Sequence, residues 1–204
     1  MSQRTGRPRR ADLDAALVEA AGQILLERGF EELSVDGLVK RAGTTRPAFY
    51  RRYRNLGDLL VQLLLGQHAI RLEEIFDTGG LESDLVAVQR DQLAFFTEPL
   101  VRRSLPGFVA SLRADEELRQ TFYEGFLFPR RRSTGLILQR GLARGEIRPG
   151  FDPEWICDLL TGPFLLRVVF PGTGRLDEEL VQATVGAAVS VLNPLLAVRS
   201  SQPA

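Results

Sequence analysis

The segment Arg41 to Asn55, RAGTTRPAFYRRYRN, holds five arginines and no acidic side chain. Guanidinium groups at that density suit the binding of phosphate and of base edges, since each one placed near a phosphate releases condensed counterions. A run of charge is ordinarily a solvated helix face, but such a face mixes both signs. Between Lys40 and Arg54 six basic residues occur and no acid.

Other residue types able to do chemistry are sparse. The chain has one histidine, His68, which reads as packing or solvent-facing, with a ligand or pH-sensing role as the alternative. Its one cysteine, Cys157, reads as a small buried hydrophobe. There is no metal-ligand spacing and no nucleophile elbow, and Pro171 to Gly174 (PGTG) is a turn and not a phosphate loop. An enzyme, a metal site and a cofactor are therefore not expected. Arg130, Arg131 and Arg132 read as a solvated or interface-flanking cluster.

Overall charge decides nothing, because 26 basic residues balance 26 acidic ones. Its distribution does: residues 1 to 56 carry eleven basic and seven acidic side chains, a net of +4. One cysteine allows no intramolecular disulfide and fits a reducing cytoplasm. The leading MSQRTGRPRR has no apolar run behind its charges, so it does not read as a signal peptide. No apolar segment approaches the roughly 18 residues of a membrane span. The expectation is a cytoplasmic protein without a membrane partner.

The elements that must hold the arginines are legible in the spacing. Leu13, Ala16, Leu17, Ala20, Ala21, Ile24 and Leu25 recur at steps of three and four and predict a helix over Ala11 to Arg28, ended by Gly29. Phe30 is expected to fold back on Leu25. Ser34 caps a short helix from Val35 to Ala42, and Gly43 ends it. Thr45 caps a third, with Pro47 in its first turn and Phe49 and Tyr53 as its buried side. Helix, short helix, glycine turn and short helix make a helix-turn-helix.

Asn55 caps a fourth helix, with Asp58 at the capping-box position, and Asp77 to Gly80 (DTGG) breaks it. Further helices are expected over Asp84 to Thr97, Pro99 to Arg113, Asp115 to Arg144 with a kink or break at Pro129, Pro153 to Phe170, and Asp177 to Ala197. Nothing alternates with period two, so the fold class is all-α. We divide the chain into a disordered basic arm (1–10), a helix-turn-helix domain (11–56), a larger helical domain (57–198) and a disordered tail (199–204).

Residues 10 to 66 resemble the N-terminal domain of TetR/AcrR-type transcriptional regulators. The matching residues are Gly43, Thr45, Phe49, Tyr50, Tyr53 and Asn55, preceded by Arg28-Gly29-Phe30 and by Leu38 and Ala42. The resemblance implies a double-stranded DNA operator as partner, with Arg46, Pro47, Ala48 and Arg51 facing bases. Thr45, Tyr50 and Arg52 match positions that touch the sugar-phosphate backbone, with Thr44 and Arg54 beside them. The family commonly has a lysine where this chain has Leu56, which leaves that phosphate contact without its side chain. Arginines of the segment Thr5 to Arg10, Arg7 and Arg9 among them, could enter the minor groove as a basic arm.

The C-terminal part resembles the family's regulatory half more loosely, through ARGEIRPGFDPEW and LLTGPFLLRVVF. It implies a homodimer formed by the last two long helices, here with Leu159, Val168, Leu180, Val185, Ala188 and Leu192 at the interface and Gly162 and Gly186 permitting close approach. Phe95, Phe96, Phe108, Phe122, Tyr123, Phe126 and Phe164 read as core filling; the resemblance adds that several line a pocket for a small hydrophobic effector of unknown identity. Asp91, Arg102, Glu124 and Arg167 are polar groups that could orient it. The reading is a homodimeric DNA-binding repressor released by an effector. The alternative is a constitutive DNA-binding protein with no small-molecule sensing.

Overall fold

The computed structural model describes residues 10–67 and 76–193; residues 1–9 of the expected basic arm, Arg7 and Arg9 among them, His68 and the C-terminal tail lie outside them, while Arg10 begins the first helix. Its helices are α1 Arg10–Arg28, α2 Val35–Arg41, α3 Arg46–Tyr50, α4 Leu56–Gln67, α5 Leu81–Thr97, α6 Pro99–Ala114, α7 Glu116–Phe122, α8 Phe128–Ala143, α9 Pro153–Val169 and α10 Glu178–Leu192. A 3-10 turn, Phe30–Glu32, follows α1. No strand occurs among the described residues. The helix expected over Asp115 to Arg144 is two helices joined by a π-helical segment, Tyr123–Leu127. Pro129 has no N–H for the carbonyl one turn back, and the wide turn just before it accommodates that loss.

The ends of the first helices follow from side-chain chemistry. The Ser34 hydroxyl accepts from the Gly37 amide at 3.2 Å and caps α2. Gly43, at φ 62°, takes the left-handed conformation that ends it. The Thr44 amide then donates to Val39 O at 2.9 Å and the Gly43 amide to Lys40 O, the paired bonds of a glycine-terminated helix end. Thr45 is extended and its hydroxyl accepts from the Ala48 amide, which starts α3. Five residues are too few to be helical alone. Burial of Ala48 and Phe49 fixes α3 on α2, with the Phe49 ring 5.6 Å from that of Tyr53.

One apolar core runs from Leu17, Ile24 and Leu25 of α1 through Phe49 and α4 to Leu105 and Phe108 of α6, and on to Phe164 of α9. A second unites Leu85 of α5, Ile137 and Leu138 of α8, Ile156 and Leu160 of α9, and Val185 of α10. The helix-turn-helix is thus packed directly on the larger bundle. Phe30 lies against Gly107 of α6, where an added Cβ would stand 2.2 Å from the ring. Gly57 of α4 is likewise pressed on Leu118 of α7.

Candidate DNA-binding face and internal cavity

Outward from α3 stand Thr45, Arg46, Pro47, Tyr50 and Arg51, all exposed, with Thr44 half-buried beside them. Ala48 is not on this face. It is 6% exposed, packed on the Phe49 side of so short a helix, so it has no surface to offer a base.

The open guanidinium side expected of this segment is also corrected, because acids from other helices meet it. Arg46 Nη1 lies 3.1 Å from both carboxylate oxygens of Asp36 on α2, and Arg41 Nη2 lies 2.7 Å from Glu27 on α1. A hydrogen bond to Tyr50, followed by the charge of Asp36, raises the Arg46 pKa further. These pairs are exposed and therefore weak, so a phosphate or a base can take either arginine over at small cost.

Arg52 and Arg54 are different. Arg52 Nε is 2.5 Å from Asp14 of α1, its side chain is 16% exposed, and Nη1 donates to Ala48 O. Arg54 donates to Asp58 at 2.8 and 3.0 Å and reaches Glu117 and Thr121 of α7. Both fasten α3 and α4 to their neighbours, Arg52 from a largely covered position and Arg54 from an exposed one. Arg51 alone of the five makes no ion pair among the described residues.

A cavity of about 350 Å³ lies within the larger bundle, between α5, α6, α7, α8 and α9. Phe95, Phe96, Phe122 and Phe126 line it, joined by Leu105, Val109 and Leu112 of α6. Phe108 and Phe164 stand behind this layer, their rings 5.1 Å from Phe122 and 5.9 Å from Phe96; both are wholly buried, so they support the wall without forming it. Tyr123 points to the surface and packs with Phe128 instead. Of the polar candidates only Asp91 reaches the cavity. Arg102 and Glu124 are exposed, and Arg167 donates to Arg175 O.

Spacing did not point to Arg130 or Cys157, yet both line the cavity. Arg130, expected in a solvated cluster, instead has its guanidinium carbon 3.6 Å from the Phe126 ring centroid. Burial pushes the Cys157 thiol up to about 11. Buried Gln89, whose Nε2 donates to Leu160 O and to Thr184, ties α5 to α9 and α10 across the second core.

Comparison with known proteins extends this geometry. The model of the tetR family of bacterial regulatory proteins matches residues 17–63, and that of the tetracyclin repressor-like C-terminal domain matches residues 75–188, more than half of the chain. The chain belongs to the TetR family of transcriptional regulators. The chain is 30% identical over 174 residues to the HTH-type transcriptional regulator YdeS of Bacillus subtilis, covering 84% of this chain and 86% of that one. To the DNA-binding transcriptional repressor TetR of Mycobacteroides abscessus it is 28% identical over 178 residues, 87% and 92% of the two chains. The same fold is found in the regulator FadR of Bacillus subtilis, solved in complex with stearoyl-CoA, at TM-score 0.69 and 23% identity over 88% of this chain and 99% of that one.

In this TetR-family chain the last two helices reverse one expectation. Val168, Leu180, Val185, Ala188 and Leu192 are buried within the chain, and Leu159 is packed against the second core. The face left open carries Trp155, Leu166 (50% exposed), Phe170 (58%) and Val191, with Gly162 and Gly186 exposed among them. Both helices are apolar nearly all round, so spacing could not say which side the core would take.

Proposed function

We propose that the chain is a homodimeric repressor that leaves a palindromic operator when a small hydrophobic molecule enters the cavity. The observation that carries this is the sharing of helices: α6 and α7 line the cavity and also grip the DNA-binding unit. On its far side α6 packs Gly107 on Phe30, and Arg103 Nη1 donates to Leu26 O. From α7 and its cap, Glu117 holds Arg54 and Asp115 accepts from Asn55 at 3.0 Å. A ligand that moves α6 or α7 must therefore move α1 and α4, and with them α3. Two recognition helices held at the wrong separation do not fit both half-sites of one operator.

Within each half-site Arg46 and Arg51 read bases, with guanine as the favoured partner of Arg46. Pro47 faces bases beside them, and Thr44, Thr45 and Tyr50 support register against the backbone. A second copy covers Trp155, Leu166, Phe170 and Val191, an apolar stripe of the kind that marks an association surface. That the Mycobacteroides abscessus relative is a DNA-binding repressor, and that FadR was solved with stearoyl-CoA, support repression and an effector here. The deciding experiment is selection of bound duplexes from a random pool with the full-length protein. A palindrome with half-sites about one helical turn apart is expected; recovery of unsymmetrical or random sequence rejects the dimeric repressor.

A further inference from the structure

A pair of glutamines reaches the cavity with its hydrogen-bond direction set from the far side, and that narrows the class of molecule that fits. We infer that the ligand is a neutral apolar compound bearing a hydroxyl group, which donates to Gln92 Oε1 while the rest lies among Phe95, Phe96, Phe122 and Phe126. This rests on the effector reading above and deepens it.

The direction is imposed in the second core. Gln89 is wholly buried, and its Nε2 donates to Leu160 O at 2.9 Å and to Thr184 Oγ1 at 2.6 Å. A main-chain carbonyl only accepts, so the nitrogen of this carboxamide must stand at that end and the oxygen at the other. Thr184 agrees, since its own hydroxyl hydrogen goes to Leu180 O. Gln89 Oε1 therefore accepts, and it takes the Nε2 hydrogen of Gln92, one turn along α5, at 2.6 Å. Gln92 lines the cavity. With its nitrogen turned to Gln89, Oε1 is the acceptor it has left, and that oxygen takes no hydrogen bond among the described residues.

The charges of the wall are already matched. Arg131 lies 2.5 Å from Glu154 and 2.8 Å from Asp158. Arg130 donates Nη1 to Phe126 O at 3.3 Å, and the charge of Asp91 opposes the fall in its pKa to about 10 that burial causes. Thr134 and Cys157 donate to carbonyls of α8. Ser133 and Thr161 donate and accept alike, so they do not select between ligands.

Four ligand chemistries can be weighed against that wall. A hydrocarbon would strip water from Gln92 Oε1 and return nothing. An ether or ketone meets only the second hydrogen on Gln92 Nε2 and leaves the oxygen unmatched. A carboxylate would approach Gln92 Oε1 and Asp91, both negative, with no unbalanced cation to receive it. A hydroxyl donates to Oε1 and carries no charge into the apolar space. The volume, near the lower end of the roughly 300–1,000 Å³ of small-molecule sites, suits one ring with a short chain.

The test is calorimetric titration of the full-length protein at pH 7 with 4-butylphenol, its methyl ether 4-butylanisole, and 4-butylbenzoate. The phenol, neutral at that pH, is expected to bind roughly 3- to 10-fold more tightly than the ether, the range of one neutral hydrogen bond, and more tightly than the benzoate. Gln92→Leu should abolish the preference for phenol over ether while leaving ether binding in place. Gln92→Glu should keep it, because its oxygens still accept. Equal or weaker binding of the phenol than of either other probe, no binding of any probe, or a preference that survives in Gln92→Leu overturns the assignment. Should Gln92→Leu not fold, the three-probe comparison in the native protein and in Gln92→Glu still decides. Phenol binding with the expected preference but without effect on the selected operator leaves the ligand class standing and rejects the effector reading instead.

Discussion

Arg46 holds both carboxylate oxygens of Asp36 at 3.1 Å, so a residue of the first turn of α2 governs the charge that α3 shows to solvent. Both side chains are largely exposed, and such pairs contribute about 0–1 kcal/mol. Asp36→Asn should therefore raise affinity for the selected operator up to about fivefold and steepen its salt dependence. Arg46→Ala should cost about 1–3 kcal/mol and relax base choice at one position. Fluorescence anisotropy over a salt series reads both effects; a loss of affinity in Asp36→Asn would mean that the carboxylate orients Arg46 instead of competing for it.

Arg52 is predicted to act on stability before DNA. Its pairing with Asp14 and its bond to Ala48 O secure α3 against α1. Arg52→Ala should lower the unfolding free energy by roughly 1–2 kcal/mol. Thermal unfolding without DNA checks this, and an unchanged Tm assigns the residue to the nucleic acid after all.

Close glycine contacts set the seam between the two halves. In Gly107→Ala the new methyl group would collide with the Phe30 ring, and overpacking of this kind costs about 1–3 kcal/mol. An added Cβ at Gly162 meets nothing within 4 Å in the single chain. Gly107→Ala should accordingly lose stability and alter operator affinity together; if denaturant titration gives it a native midpoint, the seam is softer than the structure indicates.

The outer and inner faces of α9 and α10 should separate in mutagenesis. Leu166→Glu combined with Phe170→Glu should leave each chain folded and yield monomers in sedimentation equilibrium. Leu180→Ala, deep in the core, should instead cost about 2–5 kcal/mol of stability and keep the oligomer. The opposite pattern would return the interface to the buried stripe.

Cys157 should be unreactive in the native protein. Burial raises its thiol to about 11 from an ordinary value near 9, so almost no thiolate exists at pH 7 to 8. The folded state holds this proton more tightly than the unfolded chain does. The stability associated with it is fully present below pH 9 and is lost between pH 9 and 11. Thiol titration with an aromatic disulfide should proceed only on unfolding; rapid labelling at pH 7.5 would show the cavity wall to be open.

Much of the fold could be read before the structure. Gly29, Ser34, Gly43, Thr45 and Asn55 mark helix ends because each acts on amides and carbonyls within a few residues of itself. Ala48 and Arg54 show where that reading stops. On a helix of five residues one position more or less moves a side chain from solvent to core, and the carboxylates of Asp58 and Glu117 that hold Arg54 come partly from another helix.

Local order, then, was determined by the amino-acid sequence itself: the all-helical class, the order of helices, and the capped, glycine-turned unit that presents α3. Tertiary structure alone decided three things: which acids meet the arginines, which face of α9 and α10 enters the core, and which rings enclose a space. Capping and amphipathic spacing act over one or two turns of chain, whereas ion pairing, the choice between two apolar faces and the shape of a cavity depend on side chains brought together from distant segments. Asp36 beside Arg46, and Arg130 over Phe95, exist only once the helices have packed.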